Sequence, residues 1–591
     1  MRRLLTISIV VAALTGFSAV PARHNSAGHQ KLDLALGRAA IAAQADVRTL
    51  IRVSPGTGAR VAERLAASGI FATSSTTPNL YLAELPRPRL SIVTSDPDVV
   101  RVSLDAPVRA LGTLSSLPQN LLLATQALLP RTYTGKNIGV AVVDSGFLTS
   151  ADLGNVTASY DFTSGKTVKA GPKDMFGHGT HVSGLIGSTG DTTRGLYQGI
   201  APGVRFIVLK ALDQAGVGYT SNVINAINFA VDNKVAFGID VMNLSLGHPI
   251  YEPAGNDPLV AAVERAVSAG IVVVVSAGNF GGDPVTHEVG YAGITSPGNA
   301  PDAITVGAVE TFQTVTRRDD QVAWYSSRGP SWYDGYQKPD VVAPGSHLAS
   351  NVSSGSALIK QYPKGVIPTS GTCDLMLLSG TSMSAGVVSG VVATMLEASR
   401  AKHAGTVLTP NAVKAILQYT ALDVPGADFL TQGAGAVNAA GAIAMAEAID
   451  PSVPQGAGWM TKPITPSTTI AGESHAWGQR VIWGDRVIWG SQIESNDPAW
   501  ALRVIWGNRV IWGNRVIWGS STVWDGNQLT WGNRVIWGNT MIGQSTGTGI
   551  RWGGLATTDP NRVVWGELKS LTTGSTAVSW GNLERANMEL K

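Results

Sequence analysis

The chain has 591 residues, too many for one hydrophobic core, so three or four folded units are expected. Its 44 basic and 41 acidic residues nearly cancel, which removes any electrostatic reason to expect a nucleic acid or an anionic membrane as partner. The single cysteine, Cys373, excludes an intrachain disulfide, and without a nearby histidine it reads as a loop or core thiol rather than a nucleophile.

Met1-Arg2-Arg3, the apolar run Leu4 to Val20 and the ending Val20-Pro21-Ala22 read as a secretory signal spanning residues 1–22. The competing reading is a retained anchor, and the run is near the lower limit for crossing a bilayer. Cleavage would place the protein outside the cell or in its envelope. No later run reads as a membrane span. Residues 23–116 form a separate unit in the order strand, helix, strand, helix, strand: 47–53, 58–68, 80–85, 90–95 and 99–104.

From 117 to 450 strands and helices alternate, which calls for an α/β domain with a mostly parallel sheet and helices on both faces. Buried strands are expected at 138–143, 205–209, 241–245, 271–276 and 303–306, and helices at 178–186, 221–233, 258–269, 382–401 and 410–420. The first strand delivers Asp144 at its carboxyl end, in Asp144-Ser145-Gly146. Gly177-His178-Gly179-Thr180-His181 sets a histidine between glycines at a helix start. Gly380-Thr381-Ser382-Met383-Ser384-Ala385 puts a serine at the mouth of a buried helix, where free N–H groups and the positive dipole end suit an oxyanion. Taken alone, that serine is an ordinary helix cap.

The order Asp, His, Ser in these three motifs resembles the subtilisin family of serine peptidases, over roughly 119–450. The resemblance implies a catalytic triad of Asp144, His178 and Ser382. It also implies an oxyanion hole of Asn279, from Val275-Ser276-Ala277-Gly278-Asn279, with the Ser382 N–H. His181 is the competitor for the base, but the family places the catalytic ring first in His-Gly-Thr-His, so His181 is expected to pack or hydrogen-bond. Gly216-Val217-Gly218 and Ser245-Leu246-Gly247 resemble the two segments that pair with an extended peptide. The pocket before the scissile bond would be walled by Leu246-Gly247 and Ala277-Gly278, which carry no charge and suit an uncharged side chain. Residues 23–116 are similar to the small α+β inhibitory propeptide of this family, which acts as folding template and as plug, with a cut between Leu104 and Gln119. Where the family continues Pro-His-Val after the serine motif, this chain has Gly386-Val387-Val388, and the glycine predicts a looser helix start. No cofactor is required. Structural calcium is compatible with the family, but no acidic cluster names its ligands, and His248, His287, His347 and His403 show no metal-ligand spacing.

Residues 451–475 are rich in Pro, Ser, Thr and Gly and read as a linker. Residues 476–591 carry a hexapeptide repeat, Arg-Val-Ile-Trp-Gly-Asp/Asn/Ser, that fits either a ladder of short hairpins or a β-solenoid; the tail is β-rich or irregular. Its exposed Trp and Arg suit attachment to a cell surface or carbohydrate, and a self-stacking stalk or a segment without a fixed fold fits equally. The chain as a whole reads as a secreted, auto-processed serine endopeptidase acting on protein or peptide substrates, with its own propeptide as inhibitor. The alternative is a secreted binding protein that uses a peptidase-like scaffold, and it would be expected to have lost one of the four reactive groups.

Overall fold

The computed structural model describes residues 31–39, 46–111, 113–114, 132–282, 288–312, 314–367, 369, 373–483, 486–489, 550–552 and 555–557. The signal reading of 1–22, His287 and most of the repeat tail lie outside the described residues.

The N-terminal unit is a four-stranded antiparallel sheet in the order Ala72–Ser74, Leu80–Pro86, Asp46–Val53, Val99–Leu104, covered by the helices Gly58–Ala67 and Leu90–Ser95. The short edge strand Ala72–Ser74 was not legible in the sequence. Period-two alternation gives the central strand two duties: Val47, Ile51 and Val53 enter the unit's own core, while Leu50, on the opposite face, packs into the neighbouring domain.

That domain is built on a nine-stranded sheet in the order Gln321–Val322, Ile304–Glu310, Val272–Ser276, Ile239–Leu244, Gly139–Asp144, Arg205–Lys210, Val156–Asp161, Val168–Lys169, with Val341–Pro344 also paired to Ile304–Glu310. Every pair is parallel except those of the two short end strands. The strand Gly139–Asp144 shows why its sequence is apolar throughout: Val140 and Val142 enter one core and Ala141 and Val143 the other. On the first face lie the helices His178–Gly187, Thr381–Lys402, Pro410–Thr420 and Ala439–Ala448; on the second lie Thr220–Asp232 and Pro258–Ser268. The chain passes from Arg205–Lys210 on one side of the central strand to Ile239–Leu244 on the other, so Asp144 ends the strand at the point where the order reverses and ligands bind in open α/β sheets.

Two expectations are corrected. The helix Thr381–Lys402 is long and apolar enough by composition to cross a membrane, but 94% of its apolar window is enclosed by the sheet and neighbouring helices, so it is the central helix of this core. The stretch 451–475 is no free linker. Ser467–Ile470 and Glu473–Ala476 form a hairpin, and Trp459, Ile470, Trp477 and Val481 join the main core. The first repeat is therefore docked on the domain. Trp477 Nε1 donates to Thr468 Oγ1 (2.7 Å), Gly478 N to Ala421 O (2.7 Å), and the Arg480 guanidinium lies over the Phe429 ring beside Asp423. That copy pairs antiparallel with the next, Arg480–Trp483 with Arg486–Trp489 across a two-residue connection, which for this pair selects the hairpin over the solenoid.

Candidate active site

Asp144 and His178 come from different elements and meet because the loop and helix between them lack side chains where they touch. His178 is the first residue of its helix, and a Cβ on Gly179 would lie 2.2 Å from Gly146 O and 3.1 Å from the Asp144 Cβ. Only glycine lets the helix press this close onto Asp144-Ser145-Gly146. His178 Nδ1 is then 2.9 Å from both carboxylate oxygens of Asp144, and both side chains are buried. The contact fixes the tautomer with hydrogen on Nδ1, which leaves Nε2 as the basic atom. Nε2 is buried and has no hydrogen-bond partner.

The helix start is held by a residue that no motif announced. Buried Asp174 accepts from Gly177 N (2.8 Å), Thr180 N (2.9 Å), Thr180 Oγ1 (2.7 Å) and Ser145 Oγ (3.0 Å), and Ser145 Oγ in turn accepts from Gly179 N (2.9 Å). One carboxylate thus saturates free N–H groups of the helix and ties them to the residue after Asp144. The only sequence signal was an acidic residue just ahead of a helix start.

Ser382 is the second residue of its helix and fully buried. The two site-bearing helices run parallel in step. A Cβ on Gly386 would lie 3.3 Å from Val182 O, and one on Gly390 would lie 3.2 Å from Ile186 O, so four residues along one helix match four along the other. One turn back toward both N-termini stand His178 and Ser382. The helix runs unbroken from Thr381 to Lys402 through Gly386. Gly386 lies in the second turn, and its missing side chain is filled by the facing helix. The Ser382 hydroxyl donates to Ser245 O at 3.1 Å rather than to an imidazole.

Asn279 follows the strand Val272–Ser276 and is half-buried. Its Oδ1 accepts from Thr381 N and Thr381 Oγ1, both at 3.0 Å. A backbone N–H can only donate, so the amide oxygen is fixed on that side and Nδ2 is left as a donor next to the serine motif. Thr381 Oγ1 also accepts from Gly278 N (3.1 Å), which ties the Ala277-Gly278-Asn279 turn to the helix entry.

The other described histidines have partners elsewhere. His181 Nε2 faces the carbonyls of Met376 (2.9 Å) and Leu348 (3.2 Å), and burial pushes its pKa down to about 3, so it is a neutral packed ring. His347 contacts Glu310, His403 contacts Glu447 O and His248 stacks on Tyr251. Among the described residues no three His, Cys, Asp or Glu side chains converge as a metal site, so none can be assigned to calcium.

Gly216-Val217-Gly218 and Ser245-Leu246-Gly247 flank a groove whose occupant is the chain itself. Pro107–Ala110 forms a strand antiparallel to both Val217–Tyr219 and Leu246–Pro249, with Arg109 opposite Val217 and Gly247, and Ala110 opposite Leu246. Ala110 N donates to Gly216 O (3.2 Å). Leu111, the next residue, is buried, and Ser245, next to Leu246 on the paired segment, holds the Ser382 hydroxyl through its carbonyl. Thr113 is then paired with Ser379.

The sequence profile described as the subtilase family matches residues 135–441. Among curated proteins, the chain is 36% identical over 358 residues to serine protease AprX of Bacillus subtilis, covering 59% of this chain and 75% of that one. It is 34% identical over 279 residues to subtilisin E of Bacillus subtilis, covering 47% of this chain and 65% of that protein. Among solved structures, fervidolysin from Fervidobacterium pennivorans, a keratinolytic enzyme related to subtilisin, aligns with a TM-score of 0.54 at 21% identity, over 70% of this chain and 62% of that one, a likeness of fold. The chain belongs to the subtilase family and is a subtilisin-like serine peptidase.

Proposed function

We propose that the protein is a secreted serine endopeptidase, made as a precursor whose N-terminal unit fills its own substrate groove and is released by cleavage after Leu111. The observation that carries this reading is the strand Pro107–Ala110 seated between the two groove segments, a register that, continued by one residue, brings Leu111 to Ser245. An extended peptide that offers both edges to two short strands is bound by its backbone, so the same groove suits other polypeptides. An apolar Leu111 before the cut agrees with the uncharged pocket expected from Leu246-Gly247 and Ala277-Gly278.

In the reaction the Ser382 hydroxyl leaves Ser245 O and turns to His178 Nε2. Nε2 takes the proton as Oγ bonds to the carbonyl carbon, and Asp144 stabilises the resulting imidazolium. The Ser382 N–H and Asn279 Nδ2 receive the oxyanion. His178 then protonates the departing amine, leaving an acyl-serine. Water, deprotonated by His178, attacks that ester; the acid product leaves and the hydroxyl is restored. Every group needed is supplied by the chain, and no cofactor enters. The leader 1–22 would direct export, and the repeat tail beyond the docked copy would serve outside the cell.

Expression of the wild-type precursor beside Ser382→Ala tests the proposal. The wild type is expected to yield a product beginning at Gly112 in the medium and to label with a fluorophosphonate, whereas Ser382→Ala stays full-length and unlabelled. Equal processing of the variant, or a wild type that does not label, would overturn it.

A further inference from the structure

Behind Ser382 lies a line of polar side chains in an otherwise aliphatic core. Ser389 is seven residues along the helix from Ser382, two turns on, and so shares its face. Across from that face, Asn243 and Ser245 are two residues apart at the end of the strand Ile239–Leu244, which puts both on one side of the strand. The two pairs are stitched together. Ser389 Oγ donates to Asn243 Oδ1 (3.0 Å), Asn243 Nδ2 donates to Ser245 Oγ (2.9 Å), and Ser245 Oγ donates to Ser382 O (3.0 Å). All four residues are fully buried.

The chain of bonds has one direction. It is set at the Ser382 carbonyl, which can only accept: the Ser245 hydroxyl spends its one hydrogen there and so must accept from the Asn243 NH2, which leaves the amide oxygen facing Ser389, whose hydroxyl donates to it. We propose that Asn243 and Ser389 are positioning residues for the peptidase reaction, holding the nucleophile of Ser382 in register with the peptide-pairing segment Ser245-Leu246-Gly247. Neither touches a bound peptide. They act because Ser245 belongs to both partners: its hydroxyl anchors the backbone of Ser382, and its own backbone lies opposite the residue before the scissile bond. Loss of the Ser389 hydroxyl frees the amide to turn and the Ser245 hydroxyl to rotate, so the attacking oxygen and the target carbonyl lose their fixed spacing, to which rates are steeply sensitive.

The inference rests on the proposed role of Ser382 and is tested on full-length precursor allowed to mature, with turnover of a short peptide anilide normalised to fluorophosphonate-titrated sites. Ser389→Ala is expected to lower kcat about tenfold with KM within twofold, and to slow fluorophosphonate labelling by a similar factor. Asn243→Ala is expected to lower kcat at least as much, and adding Ser389→Ala to it to cost nothing further, because both act through one path. Ser389→Thr, which keeps the hydroxyl, restores most of the rate. A per-site kcat for Ser389→Ala within twofold of wild type, or losses that multiply in the double variant, would overturn the inference. In both cases wild-type labelling would leave the Ser382 assignment standing.

Discussion

Two segments reach the catalytic domain from opposite ends of the chain and are attached in opposite ways. The N-terminal unit brings its own core, in which Val47, Ile51, Val61, Leu65 and Val93 are enclosed by one another. It lends its neighbour a few apolar side chains, Leu50, Leu80 and Val108, with Leu82 and Ala110 partly buried beside them. The rest of its grip is polar: Asp105 accepts from Ser221 N (2.8 Å) and Ser221 Oγ (2.9 Å) at a helix start, Arg101 Nε meets Glu252 (2.8 Å), and Arg52 donates to Asn256 O (2.7 Å). The C-terminal stretch 451–481 has no core of its own. Trp459, Ile470, Trp477 and Val481 complete the domain's main core. A unit with a private core and a wet interface can leave intact; a segment that shares a core cannot leave without opening it.

The largest effect that would sharpen this contrast is a truncation. A precursor ending at residue 450 loses four buried side chains at about 1.5–3 kcal/mol each, which rivals the whole net stability of a domain. It is expected to accumulate as unfolded or degraded chain, whereas one ending at residue 483 matures and labels normally. Equal yields of active enzyme would show that the C-terminal stretch is as dispensable as the N-terminal unit. Trp477→Ala is the milder form of the same experiment. The ring is buried and bonded through Nε1 to Thr468, so its removal is expected to cost about 3–5 kcal/mol in denaturant unfolding, with kcat per titrated site unchanged.

What the sequence revealed follows the same division between self-sufficient and borrowed structure. Gly139–Asp144 and Val272–Ser276 were legible because strands buried on both faces write long apolar runs; Asp144 ends one and Asn279 follows the other, while His178 and Ser382 stand at the starts of helices flanked by glycine. Pro107–Ala110 was not. Pro-Val-Arg-Ala has no strand signature of its own and is a strand only because two groove edges supply its partners. The stretch 451–481 misled for a related reason: its composition is that of a linker, and its few large residues, Trp459, Ile470 and Trp477, follow no period because the socket that orders them belongs to the domain. Asp174 and Asn243 were invisible because their work is to hold other residues, through bonds to backbone and amide groups that have no spacing rule.

The smallest effect bears on the proposed release of the N-terminal unit. Burial pushes the Glu252 carboxyl up to about 8, with Asp257 and Asp33 adding to the rise and Arg101 opposing it; burial likewise raises Asp33 to about 6. Arg101 and Asp33 belong to the N-terminal unit, so dissociation removes one cation and one anion and returns Glu252 toward water and an ordinary carboxyl value near 4.5. A group whose pKa is higher in the bound state holds a proton there that it gives up when free. Its contribution to binding is complete below about pH 4.5 and is lost as pH rises toward 8. Asp33 acts in the same direction over a lower window. The cleaved but retained unit is therefore expected to dissociate more readily on the alkaline side, with its dissociation constant rising by more than about tenfold from pH 6 to pH 8. Gel filtration of matured protein across that range measures the fraction of unit retained. Glu252→Gln, which cannot ionise, should flatten the dependence and strengthen retention at pH 8, while leaving peptide turnover by the free domain unchanged. A variant as pH-sensitive as wild type would shift the weight of the interface onto Asp105 and Ser221, whose bonds join a carboxylate to a helix start and do not depend on this acid.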